Sequence, residues 1–232
     1  MDDNAEISEH WSRLYARLSK SDNPFEQIAY RRISDSRLEE LVLHIKGRLK
    51  LSKSRKLLDI GCGNLHISSG IHSCAGFAVG ADFNLPLILK AKKFKKSKLV
   101  QCEAACLPFK ENYFDRVLCY NVFQYFPGRK YAGEVIKELF RVTKKGGIIM
   151  IGDVPSKPQK AAGNDIAEFF YSIFLPPIRI FYQFFRYAVF RFKRPVSLVY
   201  YDRSFFKGFE VLEPFPMNKY TYKYRFDCII KK

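Results

Sequence analysis

The sequence predicts an α/β protein with a doubly wound, seven-stranded and mostly parallel sheet. Between residues 55 and 153, short apolar runs alternate with segments of helical character, and two more apolar runs lie near the end of the chain. This alternation is typical of crossover units that join parallel strands. A glycine turn follows the first run. The hydrophobic fraction of 47% is enough to bury a core, which excludes global disorder.

The apolar runs define the predicted strands. These are Lys56–Ile60, Gly76–Ala81, Lys98–Cys102, Arg116–Tyr120, Gly147–Gly152, Phe209–Leu212 and Phe226–Ile230. Helices are predicted over Leu85–Phe94 and over Tyr131–Val142, where apolar residues recur at helical spacing. A further amphipathic helix, Ser34–Leu51, precedes the first strand and carries Leu38, Leu41, Val42 and Ile45 on one stripe.

The chain divides into residues 1–54, predicted to form an N-terminal helical lid, and residues 55–232, which contain the sheet. An insert over residues 154–195 interrupts the alternation and becomes almost wholly aromatic and aliphatic. Within it Ile178–Lys193 is predicted to be a helix in which Arg179, Gln183, Arg186 and Lys193 share one narrow stripe, with Arg191 to one side. Such a helix either packs as a buried cover or lies in a membrane interface, so residues 169–194 are a candidate for peripheral membrane contact.

The charge of the chain favours phosphate-bearing partners. The formal net charge is +17, and residues 46–232 hold 34 basic against 14 acidic residues, a net charge of +20. A field of this sign attracts nucleic acid or an anionic membrane surface, and it does not distinguish them. Six lysines lie between residues 90 and 98, and six basic residues lie between residues 46 and 56. Each cluster is a solvated face, a lipid contact or an RNA contact.

Other features of the sequence indicate the compartment. The six cysteines form no Cys-x-x-Cys pair and no zinc-ligand spacing, so no metal site is expected. The first ten residues are acidic and polar, unlike a signal peptide, and no uncharged apolar stretch of about 18 residues exists. We expect a reduced, cytoplasmic protein, with peripheral attachment to the inner face of a membrane as an alternative. The oligomeric state stays open.

Acidic residues end three consecutive predicted strands. Asp59 lies just before the glycine turn of Gly61 and Gly63, Asp82 ends the second strand, and Glu103 follows the third. Because the carboxyl ends of parallel strands meet at one edge of the sheet, these acids are expected to surround a ligand there. The 19-residue separation between Gly63 and Asp82 suits a carboxylate that accepts hydrogen bonds from ribose hydroxyls.

The glycine turn argues against a dinucleotide. The G-x-G-x-x-G fingerprint lacks its third glycine, because His66 stands in that place, and Asp59 would repel a phosphate. S-adenosylmethionine carries a sulfonium, an ammonium and a ribose diol but no phosphate. The acidic residues therefore predict S-adenosylmethionine as the cofactor.

Four motifs carry a resemblance to a known family. The segments LLDIGCG, VGADFN, CEAACLPFKENYFDRVLCYNVFQYF and ELFRVTKKGGIIMIGD together resemble class I, Rossmann-like S-adenosylmethionine-dependent methyltransferases over residues 55–153. The FDCIIKK tail resembles the last, antiparallel strand of that family. Position 65 departs from the family, which usually has a glycine where this chain has Leu65.

The resemblance implies specific roles in cofactor binding. Asp59, Gly61, Cys62 and Gly63 would hold the methionine end. Asp82 would bind the ribose hydroxyls, and Phe83 would lie near the adenine. Glu103 and Ala104 would read the adenine amino group, and Asn121 would lie beneath the cofactor. In this family Trp11 and Tyr15 would belong to helices that close over the cofactor, although plain packing explains them equally well.

The catalytic residues are less well defined. Proximity and orientation can lower the barrier to methyl transfer by about 7–11 kcal/mol, whereas a general base lowers it by roughly 3–5 kcal/mol. The candidate bases are Gln124, Tyr125 and Asp153, while His66 and His72 are interpreted as ordinary surface or core residues.

Three functions remain open from the sequence. The preferred one is methylation of a small or lipid-like acceptor, on oxygen in preference to nitrogen or carbon. The alternatives are a tRNA or rRNA methyltransferase and a non-catalytic binding protein that retains the cofactor fold.

Overall fold

The computed structural model describes residues 13–27, 33–94, 97–156, 199–216 and 224–232. The strands are β1 (Lys56–Ile60), β2 (Phe77–Asp82), β3 (Lys98–Gln101), β4 (Phe114–Tyr120), β5 (Thr143–Pro155), β6 (Glu210–Leu212) and β7 (Arg225–Lys231). The helices are α1 (Pro24–Gln27), α2 (Asp35–Leu49), α3 (Ser69–His72), α4 (Leu85–Ala91) and α5 (Arg129–Val142). Residues 13–18 are also helical, and short 3₁₀ turns occur at Phe123–Tyr125 and Arg203–Phe206.

The seven strands form one sheet in the order β3-β2-β1-β4-β5-β7-β6. Strands β1 to β5 pair in parallel, and β7 pairs antiparallel with both β5 and β6. The order reverses at β1, where the chain crosses from one half of the sheet to the other. The predicted fold class, with its antiparallel last strand, is confirmed.

Strand β5 is longer at both ends than the predicted run Gly147–Gly152. It begins at Thr143, which pairs with Phe114 across a register shift. At its other end, Val154 and Pro155 pair with β7. The first two residues of the predicted insert over 154–195 therefore belong to the sheet.

Apolar side chains cover both faces of the sheet because consecutive strand residues point to opposite sides. On one face, residues such as Leu58, Val117 and Ile149 pack with Val135 and Leu139 of α5. On the other face, a second cluster joins Leu57, Leu118 and Met150 with residues of α2 and α3. The two clusters hold the strand ends that carry the site in a fixed arrangement.

Helix α2 confirms the predicted amphipathic pattern but has a different position from the one expected. Ser34 caps its first turn by accepting a hydrogen bond from the backbone N–H of Arg37. Leu41, Ile45 and Leu49 are fully buried in the cluster with Leu57 and Met150. Helix α2 thus packs on the sheet, and of the described residues in the predicted lid over 1–54, Tyr15 lines the cavity presented below.

Several predictions fall on residues outside the described ranges. These are Trp11 and most of the insert, including the candidate membrane segment 169–194. Within the described ranges, no helix combines the length and the apolar character needed to cross a bilayer. Membrane contact stays a prediction.

Candidate functional site

A cavity of about 440 Å³ opens at the carboxyl ends of β1, β2 and β4, where the strand order reverses. Open α/β sheets bind ligands at this place. All nine residues predicted to bind the cofactor line the cavity, namely Asp59, Gly61, Cys62, Gly63, Asp82, Phe83, Glu103, Ala104 and Asn121. Tyr125, one of the candidate bases, also lines it. The structure therefore brings together residues from four separate segments of the chain.

The charge of the cavity is opposite to the charge of the protein. Three carboxyl residues line it, Asp59, Asp82 and Glu103, and no Lys, Arg or His occurs among its described lining residues. The chain as a whole carries a formal net charge of +17. An acidic cavity in a basic protein selects a cationic ligand over a phosphate-bearing one.

The glycine turn after β1 brings the backbone close to the cavity. The backbone N–H groups of Gly61 and Cys62 both donate to the carbonyl of Ala81, at 2.7 and 3.2 Å. Gly61 and Gly63 have φ angles of 70° and 54°, in the left-handed region that favours glycine. A Cβ at Gly61 would also lie 2.3 Å from Cγ2 of Val122. The sequence thus requires glycine at position 61 for two independent reasons.

Asp82 is buried at the end of β2 and accepts two backbone hydrogen bonds. The N–H of Gly63 donates to Oδ2 at 2.8 Å, and the N–H of Asn84 donates to Oδ1 at 2.9 Å. Burial raises the pKa of Asp82 to about 6, in opposition to the two N–H donors, which lower it. Each carboxylate oxygen keeps a lone pair, so the side chain can also accept hydrogen bonds from a pair of hydroxyls.

Asp59 contacts a histidine that the sequence did not place in the site. Its Oδ2 lies 3.0 Å from Nε2 of His72, and Nδ1 of His72 lies 2.8 Å from Oγ of Ser97. The side chains of Asp59 and His72 are 4% and 1% exposed. His72 is therefore a buried residue, consistent with the core interpretation, and its ring contacts the cavity residue Asp59.

Glu103 and Tyr131 form the side of the cavity where the adenine is predicted to bind. The hydroxyl of Tyr131 donates to Oε2 of Glu103 at 2.7 Å. Burial and the neighbouring Glu103 raise the pKa of Tyr131. Tyr131 thus stays protonated and keeps Glu103 in place as an acceptor.

Aromatic side chains form a further wall of the cavity, which meets the adenine side at Tyr131. The rings of Tyr15 and Tyr125 meet edge to face with centroids 5.8 Å apart, and Phe126 packs against Tyr131 at 5.2 Å. Burial, together with the nearby Tyr125, raises the pKa of Tyr15. This wall offers an apolar surface to an acceptor beside the acidic half of the cavity.

Of the other two candidate bases, Gln124 is buried and does not line the cavity. Its Nε2 donates to Oδ1 of Asn121, which adopts a φ of 60°. This contact orients the side chain of Asn121, which does line the cavity.

Asp153 also lies away from the cavity lining. Its Oδ2 pairs with the guanidinium of Arg225 at 2.9 Å, and its backbone N–H donates to Asp227 at 2.9 Å. Burial raises the pKa of Asp153 to about 7, although Arg225 lowers it. The carboxyl group thus holds β5 to β7, and its role as a base stays a prediction.

Leu65, where the turn departs from the family pattern, adopts a backbone conformation that favours glycine. Its φ is 59°, and its side chain is fully buried against Ile88 and Ala91 of α4. The leucine thus adds an apolar contact between the turn and α4.

Residues 58–151 match the family model described as a methyltransferase domain. With the sheet order described above, this match confirms the predicted resemblance to class I S-adenosylmethionine-dependent methyltransferases and confirms S-adenosylmethionine as the cofactor. The three acids, the glycine turn and the absence of basic residues from the described lining fit a cationic nucleoside without phosphate.

Individual relatives agree with the domain assignment and differ in what they act on. The chain is 33% identical over 95 residues to tRNA (carboxymethyluridine(34)-5-O)-methyltransferase of Arabidopsis thaliana, covering 41% of this chain and 23% of the relative. It is 28% identical over 142 residues to demethylmenaquinone methyltransferase of Geobacillus stearothermophilus, covering 56% of this chain and 57% of the relative. The solved structure of phosphoethanolamine N-methyltransferase 1 of Haemonchus contortus superposes with a TM-score of 0.58 at 15% identity. That superposition covers 68% of this chain and 34% of the other. The chain thus spans between a quarter and three fifths of the curated relatives named here.

Proposed function

We propose that this protein transfers the methyl group of S-adenosylmethionine to a small or lipid-like acceptor, mainly to an oxygen atom. The observation that carries the proposal is the cavity itself. Its acidic half suits a cationic cofactor, and its aromatic half offers an apolar surface to the acceptor. Both halves lie in one space of about 440 Å³, within the usual size range of small-molecule sites.

The residues of the cavity have distinct roles in this proposal. Asp82 accepts the ribose hydroxyls, and Asp59 attracts the ammonium of the methionine part. Glu103 and Ala104 lie beside the adenine. When bound, S-adenosylmethionine supplies an electrophilic methyl group on a sulfonium. The protein then needs chiefly to orient the acceptor and to exclude water, which can account for about 7–11 kcal/mol of the barrier.

Tyr125 is the side chain proposed to take the proton from the acceptor. It lines the cavity, and its ring packs against Tyr15. Asp153 is the weaker proposal because Arg225 already pairs with its carboxyl group.

A small acceptor is favoured by the nature of the lining. RNA recognition depends on basic side chains that contact phosphates, and the described lining of this cavity contains no basic residue. The demethylmenaquinone methyltransferase relative also aligns over more of this chain than the tRNA methyltransferase relative does. These observations support a quinone-like or other apolar acceptor.

A tRNA acceptor is the second candidate. The higher sequence identity to a tRNA methyltransferase, 33%, and the net charge of +17 favour it. In that case the basic surface outside the cavity would bind the RNA.

Transfer of label from S-adenosylmethionine to a cell extract tests the proposal. The extract is separated into lipid, small-molecule and RNA fractions after incubation with the protein. An Asp82→Ala variant provides the control for transfer that depends on this cavity. We expect label in the lipid or small-molecule fraction. Label in RNA alone would replace the first proposal by the second, and saturable cofactor binding with no transfer would indicate a binding protein.

A further inference from the structure

His72 joins the acidic half of the cavity to the start of β3. Its ring is almost completely buried, with one nitrogen against Asp59 and the other against Ser97. Both ring nitrogens therefore have a hydrogen-bond partner, and the ring has one defined orientation.

The donors and acceptors in these two hydrogen bonds of His72 follow from the chemistry of the three side chains. A carboxylate can only accept hydrogen bonds, so Nε2 of His72 donates to Oδ2 of Asp59. The hydroxyl of Ser97 can donate or accept, so it satisfies Nδ1 whether or not that nitrogen carries a proton. The hydrogen bond to Asp59 thus persists in both charge states of the imidazole.

The contact engages one oxygen of Asp59 and leaves the other for a ligand. Among the described residues, His72 is the hydrogen-bond partner of the Asp59 carboxylate. Asp59 also lines the cavity, so Oδ1 keeps its lone pairs for a donor that enters there. A carboxylate with one oxygen fixed presents its other oxygen with little loss of side-chain freedom on binding.

The segment that carries His72 supplies a second polar group to the cavity lining. Ser68, which precedes α3, lines the cavity, and its hydroxyl is buried without a hydrogen-bond partner among the described residues. A buried hydroxyl without a partner carries a free-energy cost that a polar ligand group can relieve. The two observations indicate a polar ligand group between Asp59 and Ser68.

We propose that His72 is a positioning residue that orients Asp59 toward the ammonium group of the methionine part of the cofactor. This inference rests on the proposed function, because it assumes a ligand of that class. It assigns the methionine end to a set of residues, Asp59, His72, Ser97 and Ser68, that extends beyond the glycine turn.

Two probes separate this role from a general effect on the fold. Adenosylhomocysteine carries the amino-acid part, whereas methylthioadenosine has the same adenosine and thioether without it. We expect His72→Leu to weaken adenosylhomocysteine binding by about 10-fold or more, since it leaves Asp59 buried without its donor. Methylthioadenosine binding should change by less than about 2-fold. His72→Gln, whose amide can donate, should recover part of the loss.

The matched control is His66→Gln, which changes a histidine six residues earlier that does not line the cavity. It should leave both affinities unchanged. If His72→Leu does not fold, Ser97→Ala removes the second contact of the ring and should reduce adenosylhomocysteine affinity alone, by a smaller factor.

The outcomes distinguish this inference from the proposed function. The role of His72 would be overturned if the His72 and Ser97 variants weakened the binding of both ligands equally, or weakened the binding of neither. Failure of the unmodified protein to bind either ligand would instead contradict the proposed function on which it rests.

Discussion

The backbone N–H of Gly63 donates a hydrogen bond to Oδ2 of Asp82 at 2.8 Å. This bond connects the turn after β1 with the end of β2, and it holds the Asp82 carboxylate at the edge of the cavity. Because the second oxygen accepts from Asn84, the carboxylate cannot rotate without losing one of these bonds. The turn and the acid therefore form one preorganised binding surface.

Asp82→Ala should weaken cofactor binding by about 2–3 kcal/mol, or about 30- to 150-fold, because two ribose hydroxyls lose their acceptor. Isothermal titration calorimetry with adenosylhomocysteine measures this change. Glu134→Gln is a suitable control, since Glu134 is an acid on α5 that pairs with Lys137 at the surface. Equal affinities for the two variants would show that another group binds the ribose.

Substitutions at Leu65 should reverse the usual stability order of alanine and glycine. Leu65→Ala loses a buried side chain, at a cost of about 2–5 kcal/mol, and keeps a side chain at a positive φ. Leu65→Gly loses the same contacts but relieves about 1–2 kcal/mol of backbone strain. After the greater chain entropy of glycine is included, the glycine variant should be more stable than the alanine variant by about 0.5–1 kcal/mol.

Urea unfolding of both variants provides the measurement, and Leu139 provides the comparison. Leu139 is equally buried but lies inside α5, where the ordinary order applies. There the glycine variant should be less stable than the alanine variant by about 1 kcal/mol. The same order at both positions would mean that the turn at residue 65 carries no strain.

Asp153 should make the protein less stable as the pH rises. Its pKa in the folded state is about 7, above the unfolded value of about 3.9. Between these values the folded state binds the proton and the unfolded state does not, so the free energy of unfolding falls as the pH increases and levels off above about pH 7.

Asp153→Asn removes this titration and suits the position, because asparagine tolerates the φ of 56° found there. The difference in unfolding free energy between the unmodified protein and this variant, measured from pH 4.5 to 8 (about the span of the two pKa values), should change in favour of the variant with rising pH. A difference independent of pH would show that Arg225 keeps Asp153 ionised throughout.

We expect Tyr125→Phe to reduce the rate of methyl transfer by about 100-fold or more, because the hydroxyl proposed to take the acceptor proton is lost. The affinity for adenosylhomocysteine should stay within about 2-fold, since the ring and its edge-to-face packing against Tyr15 remain. Tyr113→Phe, a change far from the cavity lining, is the control. A loss below about 3-fold would assign Tyr125 to packing alone.

The sheet could be predicted in detail because buried parallel strands consist of continuous apolar runs. Strand β1 has the predicted bounds, and β4 differs only by two added residues at its start. The start of β5 could not be predicted in this way. Its first residues, Thr143, Lys144 and Lys145, show no apolar run, and their strand structure follows from pairing next to β4.

The acidic half of the site was predictable for a related reason. Once the strands are known, their carboxyl ends must meet at one edge, which places Asp59, Asp82 and Glu103 together. The contact between His72 and Asp59 had no such signal. It depends on how a four-residue helix packs beneath the turn, and helices this short leave no periodic pattern in a sequence.

The pairing of Asp153 with Arg225 could not be predicted from the sequence. An acid at the end of a central strand has the sequence features of a catalytic group. Its partner, Arg225, lies 72 residues later in a strand whose neighbour could not be derived from composition. In that pairing Asp153 is buried and Arg225 is half-buried.

The close approach of Gly61 and Val122 couples the two loops around the cavity, the turn after β1 and the loop after β4. Val122 occupies the space that any side chain at position 61 would need, and it lies on the same loop as Asn121 and Tyr125. A ligand that binds against the first loop therefore also restricts the movement of the second loop. Any side chain at position 61 would displace Val122, and with it the loop that carries Asn121 and Tyr125.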